Sequence, residues 1–425
     1  MNIQSQDEGS VPVSPAHGMS VLTTAVFIVG EVAGSGVLAL PKALNDTGWI
    51  GLAVMVLIAV VSTFTGTLLG RCWVIVRQRY PSSMDHEVRQ PYPSIGQAAF
   101  GKHCRRLVAF CVDFTCFGST VVFLLLTSEN LSELLSRFGV HVSFCVWLMV
   151  VTAVLCPLCW LGTPKDFWQI GLTAALATAL ACLMILTQMA EDAPDMPPAF
   201  HGPLKAKDFF AAFGIISFGF GGHQSFPTIQ VDMVKPERFG VSLSIAYCTI
   251  LIIYLPVIIS SFLLYGDNLE PNILLSISPG PLLSVAEILI TLHLMAGVVI
   301  LINPVCQESE ELLRIPARFG WKRVLFRTGV MGLVLFTALT LPKFGAILSL
   351  IGGSTLTCMG FIFPPLFYLK LCSMKGEWDN IEPPLHEKVA CVEIILVGMV
   401  AGAASTYSAV DSLFFDSNMA VPCYA

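Results

Sequence analysis

Charge is what this sequence has least of. Asp, Glu, Lys and Arg make up 12% of its 425 residues, against about 25% in an ordinary soluble domain. A soluble fold with so few charges could not cover its surface, so the composition excludes a cytosolic globular protein. Hydrophobic residues reach 55% and fall in long continuous runs. Those runs are too long for the alternating strands of about ten residues that build outer-membrane barrels. Each helical crossing takes about 20 apolar residues, so the chain has room for roughly ten to twelve.

Other absences narrow the function. No basic run is long enough to grip nucleic acid, and no GxxxxGK[ST] loop is present to cradle ATP phosphates. The eight histidines are scattered, which leaves no clustered catalytic or metal-ligating constellation of the kind an enzyme needs. No segment reads as a repeated channel filter. No catalytic residue, metal or cofactor is therefore expected. Residues 1–18 carry Asp7 and Glu8 but no Lys or Arg, unlike the basic start of a cleaved signal peptide. That stretch is expected to be a disordered cytoplasmic N-terminus.

Of the fourteen cysteines, most (Cys72, Cys111, Cys116, Cys145, Cys156, Cys182, Cys248, Cys358) sit inside apolar runs, where cysteine acts as a small apolar residue. They do not read as a disulfide framework. Cys156 and Cys159 form a lone CxxC, and a zinc site needs two more ligands nearby.

Hydropathy draws eleven spans, at 20–43, 49–75, 107–130, 143–161, 167–189, 209–229, 240–265, 282–303, 325–341, 345–369 and 389–411. With the N-terminus inside, Lys42, Arg137, Lys205, Lys207 and Lys343 fall outside, and the rest of the 23 Lys and Arg fall inside. This positive-inside bias sets the N-terminus in the cytoplasm. An odd number of spans then sends the C-terminus, residues 413–425, to the extracellular or luminal side. The transmembrane domain is expected over 19–412. Two glycosylation sequons, at Asn45 and Asn130, lie on the outer side.

Two spans contain elements that break helices. Residues 31–41 read EVAGSGVLALP, with Glu31, Gly34, Ser35, Gly36 and Pro41. Residues 213–223 read FGIISFGFGGH, with Pro227 beyond. These segments lie in the first and sixth spans, five spans apart. Interrupted segments at matching places in two halves point to a transporter binding site. Five is odd, so the second half is inverted, giving a 5+5 repeat with an eleventh helix outside it. Unwound backbone is tolerated in a membrane only around a polar cavity. Its free N–H groups, with the positive end of the following half-helix, suit a carboxylate; its carbonyls suit an ammonium or a cation. A zwitterion matches both. The competing interpretation is tight packing of small residues, as at Gly30 and Gly34.

At these residues the sequence resembles the amino acid/auxin permease family, within the amino acid–polyamine–organocation superfamily. GSGVLALPKAL at 34–44 is similar to its first-helix motif. FGFGGHQSFPTIQVDM at 218–233, with KPERF at 235–239, is similar to its sixth-helix motif. LPKFGAILSLIGGSTLTCMGFIFPPLFYL at 341–369 resembles its ninth-to-tenth-helix signature, and YPSIGQAAFG at 92–101 the stretch before its third helix. The resemblance implies an all-α, LeuT-like fold with helices 1 and 6 broken. It implies secondary transport of amino acids, driven by protons or, alternatively, sodium. It implies that Gly34, Ser35 and Gly36 receive the substrate carboxylate and that Phe218, Gly219, Phe220 and Gly221 line the other side. Glu31 departs from the residue usual at its place.

Glu31 is the leading candidate for coupling or gating, because an ionisable group at membrane depth is functional by default. His223 is the second, since imidazole is the side chain whose ordinary titration falls near neutrality. Asp113 is expected to pair with a nearby arginine, and Glu287 and His293 in the eighth span border the cation position of LeuT-like carriers. That span offers Thr291 and few other hydroxyls for sodium. The expected reading is a monomeric, proton-coupled symporter of neutral L-amino acids in a plasma, lysosomal, vacuolar or vesicular membrane. A sensor on the same fold is the alternative, and flux separates the two.

Overall fold

The computed structural model describes residues 18–81, 90–161, 167–316, 318–376, 378, 380–415 and 421–424. Except for Gly18, the stretch expected to be a disordered N-terminus lies outside them, as do residues 416–420 of the expected outer tail. Among the described residues, regular structure is helical apart from one isolated parallel bridge between Met19 and Met233.

The first span is two half-helices. Helix α1 (Val21–Val32) starts at Ser20, whose hydroxyl accepts from the Thr23 N–H, a standard N-cap. It stops at Ala33, and α2 (Gly36–Arg79) begins three residues later. Two helical segments, running end to end as α2, meet between the expected first and second spans at Gly48, where φ is +61°; glycine takes that conformation without steric cost. After α3 (Pro91–Phe100) come α4 (Lys102–Ser136), α5 (Phe144–Trp160) and α6 (Phe167–Asp192).

The sixth span is broken in the same way. Helix α7 (Ala206–Gly219) ends in its glycine cluster, and α8 (Phe226–Val231) restarts with Pro227 in its first turn. Then follow α9 (Phe239–Tyr265), α10 (Pro281–Leu312) and α11 (Trp321–Thr340). The tenth span divides into α12 (Phe344–Ile351), two widened π-helical turns over 352–356 and 358–362, and α13 (Phe363–Ser373). Helix α14 (Leu385–Phe414) closes the chain.

Eight of the described helices are long and apolar enough to cross a bilayer. Apolar side chains cover their outer faces: Ile252 and Val400 are 73% and 70% exposed. In water such a surface would aggregate; in lipid it is the solvated face. The interior is tied by α4 packed along α10, α2 along α7 and α9, and α6 along α1 and α10. Helix α14, the last of the chain, turns Val392, Val397 and Val400 outward.

Close helix approach depends on small residues. A Cβ on Gly352 would overlap the Gly214 carbonyl oxygen, and one on Gly30 would overlap that of Gly171. The packing interpretation of Gly30 therefore holds.

Polar pairs pin the bundle ends. Arg137 makes a two-pronged contact with Glu287, at 3.0 and 2.9 Å, joining α4 to α10. Arg327, 1% exposed, donates to both oxygens of Glu310, to the Cys159 and Leu161 carbonyls and to Asn303. Asp113 does not meet an arginine. Its side chain faces the Glu308 carboxyl on α10.

The reading of Cys145 as an apolar filler is also corrected. It forms a disulfide with Cys423, tying the start of α5 to the C-terminal tail across 278 residues of sequence. Cys156 and Cys159 remain free thiols, and no group of three or more potential metal ligands occurs among the described residues. Of the two sequons, Asn130 is 1% exposed and bonded to Asn272, which leaves its amide no access to a glycan. Asn45 donates to Asp267.

Candidate substrate site

The two breaks face each other at a cavity of about 70 Å³. Space for one water takes roughly 10–15 Å³ on this measure, so the cavity holds about half a dozen small groups. Its wall comes from six elements, one of them the tenth span through Leu356. The end of α1 and its break supply Phe27, Glu31, Gly34 and Ser35. The α7–α8 break supplies Phe218, Gly221 and Gln224. Helix α4 adds Ser119 and Phe123, α6 adds Ala174, and α10 adds His293 and Ala296.

Glu31 ties the two breaks together. Ser225, at the entry to α8, donates its hydroxyl to Glu31 Oε1 at 2.8 Å. The sequence marks the carboxylate; nothing in it marks Ser225 as the partner 194 residues away. Two buried polar atoms in the wall have no protein partner: Ser35 Oγ and Gln224 Oε1. An unpaired buried polar group costs about 1–3 kcal/mol, a cost that a polar ligand would remove.

The candidate residues separate into two groups. Gly34, Ser35, Phe218, Gly221 and Glu31 line the cavity. Gly36, Gly219 and Phe220 lie behind it. A Cβ on Gly36 would stand 2.8 Å from the Gly219 Cα, so these two glycines are where the half-helices touch. Phe220 is fully buried against Tyr254, and its carbonyl accepts from Tyr247. His223 also misses the cavity. Its Nε2 is 3.0 Å from the Thr65 hydroxyl on α2, and its ring lies against Phe226 and Gly360. It links α2, the second break and the widened turns of the tenth span.

Sequence reasoning missed Gln224, Ser225, Ser119, Phe123 and Thr178. Thr178 on α6 donates to the Ala33 carbonyl at 2.9 Å and lies 2.9 Å from His293 Nδ1. Ser119, Phe123 and Thr178 come from scaffold helices with no motif of their own, and Gln224 and Ser225 lie within the 218–233 motif without standing out from it. His293 stood out as an ionisable group in the eighth span, beside the expected cation position, and not as part of the substrate site.

The model of the family described as transmembrane amino acid transporter protein matches residues 17–408. The chain belongs to this family. The protein is thus an amino acid transporter of multi-pass membrane architecture, and not an enzyme. Among its relatives, amino acid transporter AVT1E of Arabidopsis thaliana is 29% identical over 91% of this chain and 72% of its own length. AVT1D of the same plant is 28% identical over 89% and 68%. Among solved structures, a manganese transporter mutant from Eremococcus coleocola aligns with a TM-score of 0.56 at 12% identity, covering 98% of this chain and 93% of that one. MhsT in complex with L-phenylalanine aligns with 0.51 at 13% identity, covering 93% and 100%. At such identities the likeness concerns fold alone, and the fold of this transporter is LeuT-like.

Proposed function

We propose that this transporter carries neutral L-amino acids by alternating access, as a proton-coupled symporter. The observation that carries the reading is the meeting of both breaks at one cavity. That arrangement sets the main chain of both breaks and the unpaired side-chain oxygens of Ser35 and Gln224 around a space the size of a small zwitterion. No lysine or arginine lines it, and Phe27, Phe123, Phe218, Ile300, Leu301 and Leu356 supply apolar wall. An acidic substrate side chain would find no counter-ion there, whereas a short neutral one fits the volume.

Proton coupling is supported by what occupies the sodium position. Sodium would take carbonyls of the first break and hydroxyls of the eighth span. Here the Ala33 carbonyl is already held by Thr178, with His293 beside it. Glu31 is the coupling or gating carboxylate of this reading. It faces the cavity and latches one half-helix to the other through Ser225. His223, outside the cavity, serves gating through its contacts with α2 and the tenth span. Work is done by the monomer, in a plasma, vacuolar, lysosomal or vesicular membrane.

The topology of this reading has the N-terminus in the cytoplasm and the C-terminus outside or luminal. The Cys145–Cys423 disulfide supports it, because disulfides persist in oxidising compartments and both cysteines fall on the side that the Lys and Arg bias leaves outside.

Uptake of labelled amino acids into proteoliposomes under an imposed pH gradient, with and without sodium, tests the reading. Gradient-driven accumulation of small neutral amino acids, abolished by Glu31→Gln, is expected. Accumulation that requires sodium would overturn the proton assignment. Saturable binding by folded protein without flux would support a sensor instead.

A further inference from the structure

The cavity contains an ionisable ring that neither break supplies. His293 comes from α10, a scaffold helix, and its Nδ1 side is fixed by a short chain of hydrogen bonds. Thr178 Oγ1 is 2.9 Å from the Ala33 carbonyl oxygen and 2.9 Å from His293 Nδ1. A hydroxyl has a single proton to give, and a carbonyl can only accept. With the Thr178 proton on Ala33, Nδ1 must donate to the Thr178 oxygen. The neutral ring is then the Nδ1–H form, with a bare lone pair on Nε2. That nitrogen lies 3.4 Å from where a Cβ on Gly34 would be. It therefore faces the first break, beside the amides that begin α2. Any further proton can go only there.

We propose that His293 is a ligand for the substrate carboxylate that works only when Nε2 carries a proton. Neutral, the ring turns a lone pair toward the carboxylate and repels it. Protonated, it turns an N–H donor toward the same place and adds a charge-assisted hydrogen bond to the amides of the break. Proton and substrate then bind together, and each raises affinity for the other by the same factor. No bond is made or broken; the proton is taken from water on one face and returned to water on the other. Thr178 acts as a positioning residue, fixing which nitrogen is free.

The groups facing the ring are few. From α6 come the Thr178 hydroxyl and the main chain at Ala174. From α4 come Ser119 and Phe123, and from the second break Gln224, none of them charged. Glu31 on α1 is the one described carboxylate lining the cavity. The Glu287–Arg137 pair lies further along α10, with its charges matched against each other. His293 thus has Glu31 as its ionisable counterpart, and the two can be separated by experiment.

The proposal rests on the transport reading above. Its test is the half-saturation concentration for labelled L-alanine in counterflow, with equal pH on both faces, between about pH 5 and pH 8, where histidine titrates. In wild type the half-saturation concentration should rise by about tenfold or more across that range. In His293→Gln it should be raised and flat, because glutamine donates without titrating. In Glu31→Gln it should still rise with pH, although accumulation under a gradient is lost. In Thr178→Val the rise should persist with a displaced midpoint, since Nδ1 has lost its acceptor. A pH response intact in His293→Gln, or lost in Glu31→Gln while retained in His293→Gln, overturns the proposal. If His293→Gln does not elute as folded protein, Thr178→Val decides: an unchanged midpoint overturns it. If folded wild type exchanges no amino acid at all, the transport reading fails and this inference fails with it.

Discussion

Two alanine substitutions, two residues apart, should fail in different ways. A Cβ on Gly36 would lie 2.8 Å from the Gly219 Cα and 3.2 Å from both the Gly219 carbonyl oxygen and the Tyr254 hydroxyl. Two of those neighbours are main chain and cannot rotate away, so the half-helices must separate. Forcing one methyl into such packing costs about 1–3 kcal/mol. A Cβ on Gly34 would instead meet Phe123 at 3.3 Å and His293 Nε2 at 3.4 Å. Those are side chains able to yield, but the methyl would stand in the cavity. Gly36→Ala should therefore lower the unfolding temperature in detergent by a few degrees and slow transport. Gly34→Ala should unfold as wild type does, while its half-saturation concentration rises by about 5- to 150-fold, the equivalent of 1–3 kcal/mol. Gly329→Ala is the control: nothing lies within 4 Å of its Cβ, and alanine is the better helix former by about 1 kcal/mol. The assays are thermal unfolding of purified protein and counterflow on the same preparations. Gly36→Ala as stable and active as wild type, or Gly34→Ala with unchanged half-saturation, would refute the division of these glycines between contact and cavity.

Two further predictions concern the frame. Arg327→Met should destabilise the bundle by about 3–5 kcal/mol, because it leaves Glu310 buried without its closest partner; loss of folded protein on size exclusion reads the effect. The double change Arg327→Met with Glu310→Leu should recover much of that loss. Cys145→Ser should leave Cys423 open to a membrane-impermeant maleimide applied from the outer face. It should also lower stability by about 2–4 kcal/mol. Labelling that requires access from the cytoplasmic face would reverse the proposed topology.

Much of the architecture was legible because bilayers impose simple rules. Scarce charge and long apolar runs required spanning helices, and helices with central glycines and a proline could not remain whole. The two breaks, and the carboxylate beside one of them, could be read from 31–41 and 213–223 alone. Hydropathy also divided the first span from the second between 43 and 49, and the structure bends there at Gly48.

The sequence by itself determined composition-level facts: membrane residence, the positions of both breaks, and a motif that names a family. Only the tertiary structure decided which break residues face the cavity. Gly34 and Gly36 are chemically identical, and their roles diverge because three residues of non-helical backbone rotate one toward the void and the other toward Gly219. Likewise, Cys145 looks like other membrane cysteines until the tail brings Cys423 beside it. Asp113 and Glu287 are both carboxylates in apolar spans, but one meets another carboxylate and the other an arginine. Ser225, Thr178 and His293 come from three separate segments and gain meaning by being placed around the same carbonyl or carboxylate. Spacing along a helix determines which residues share a face; which faces meet across the bundle depends on packing between distant segments, and no local pattern records it.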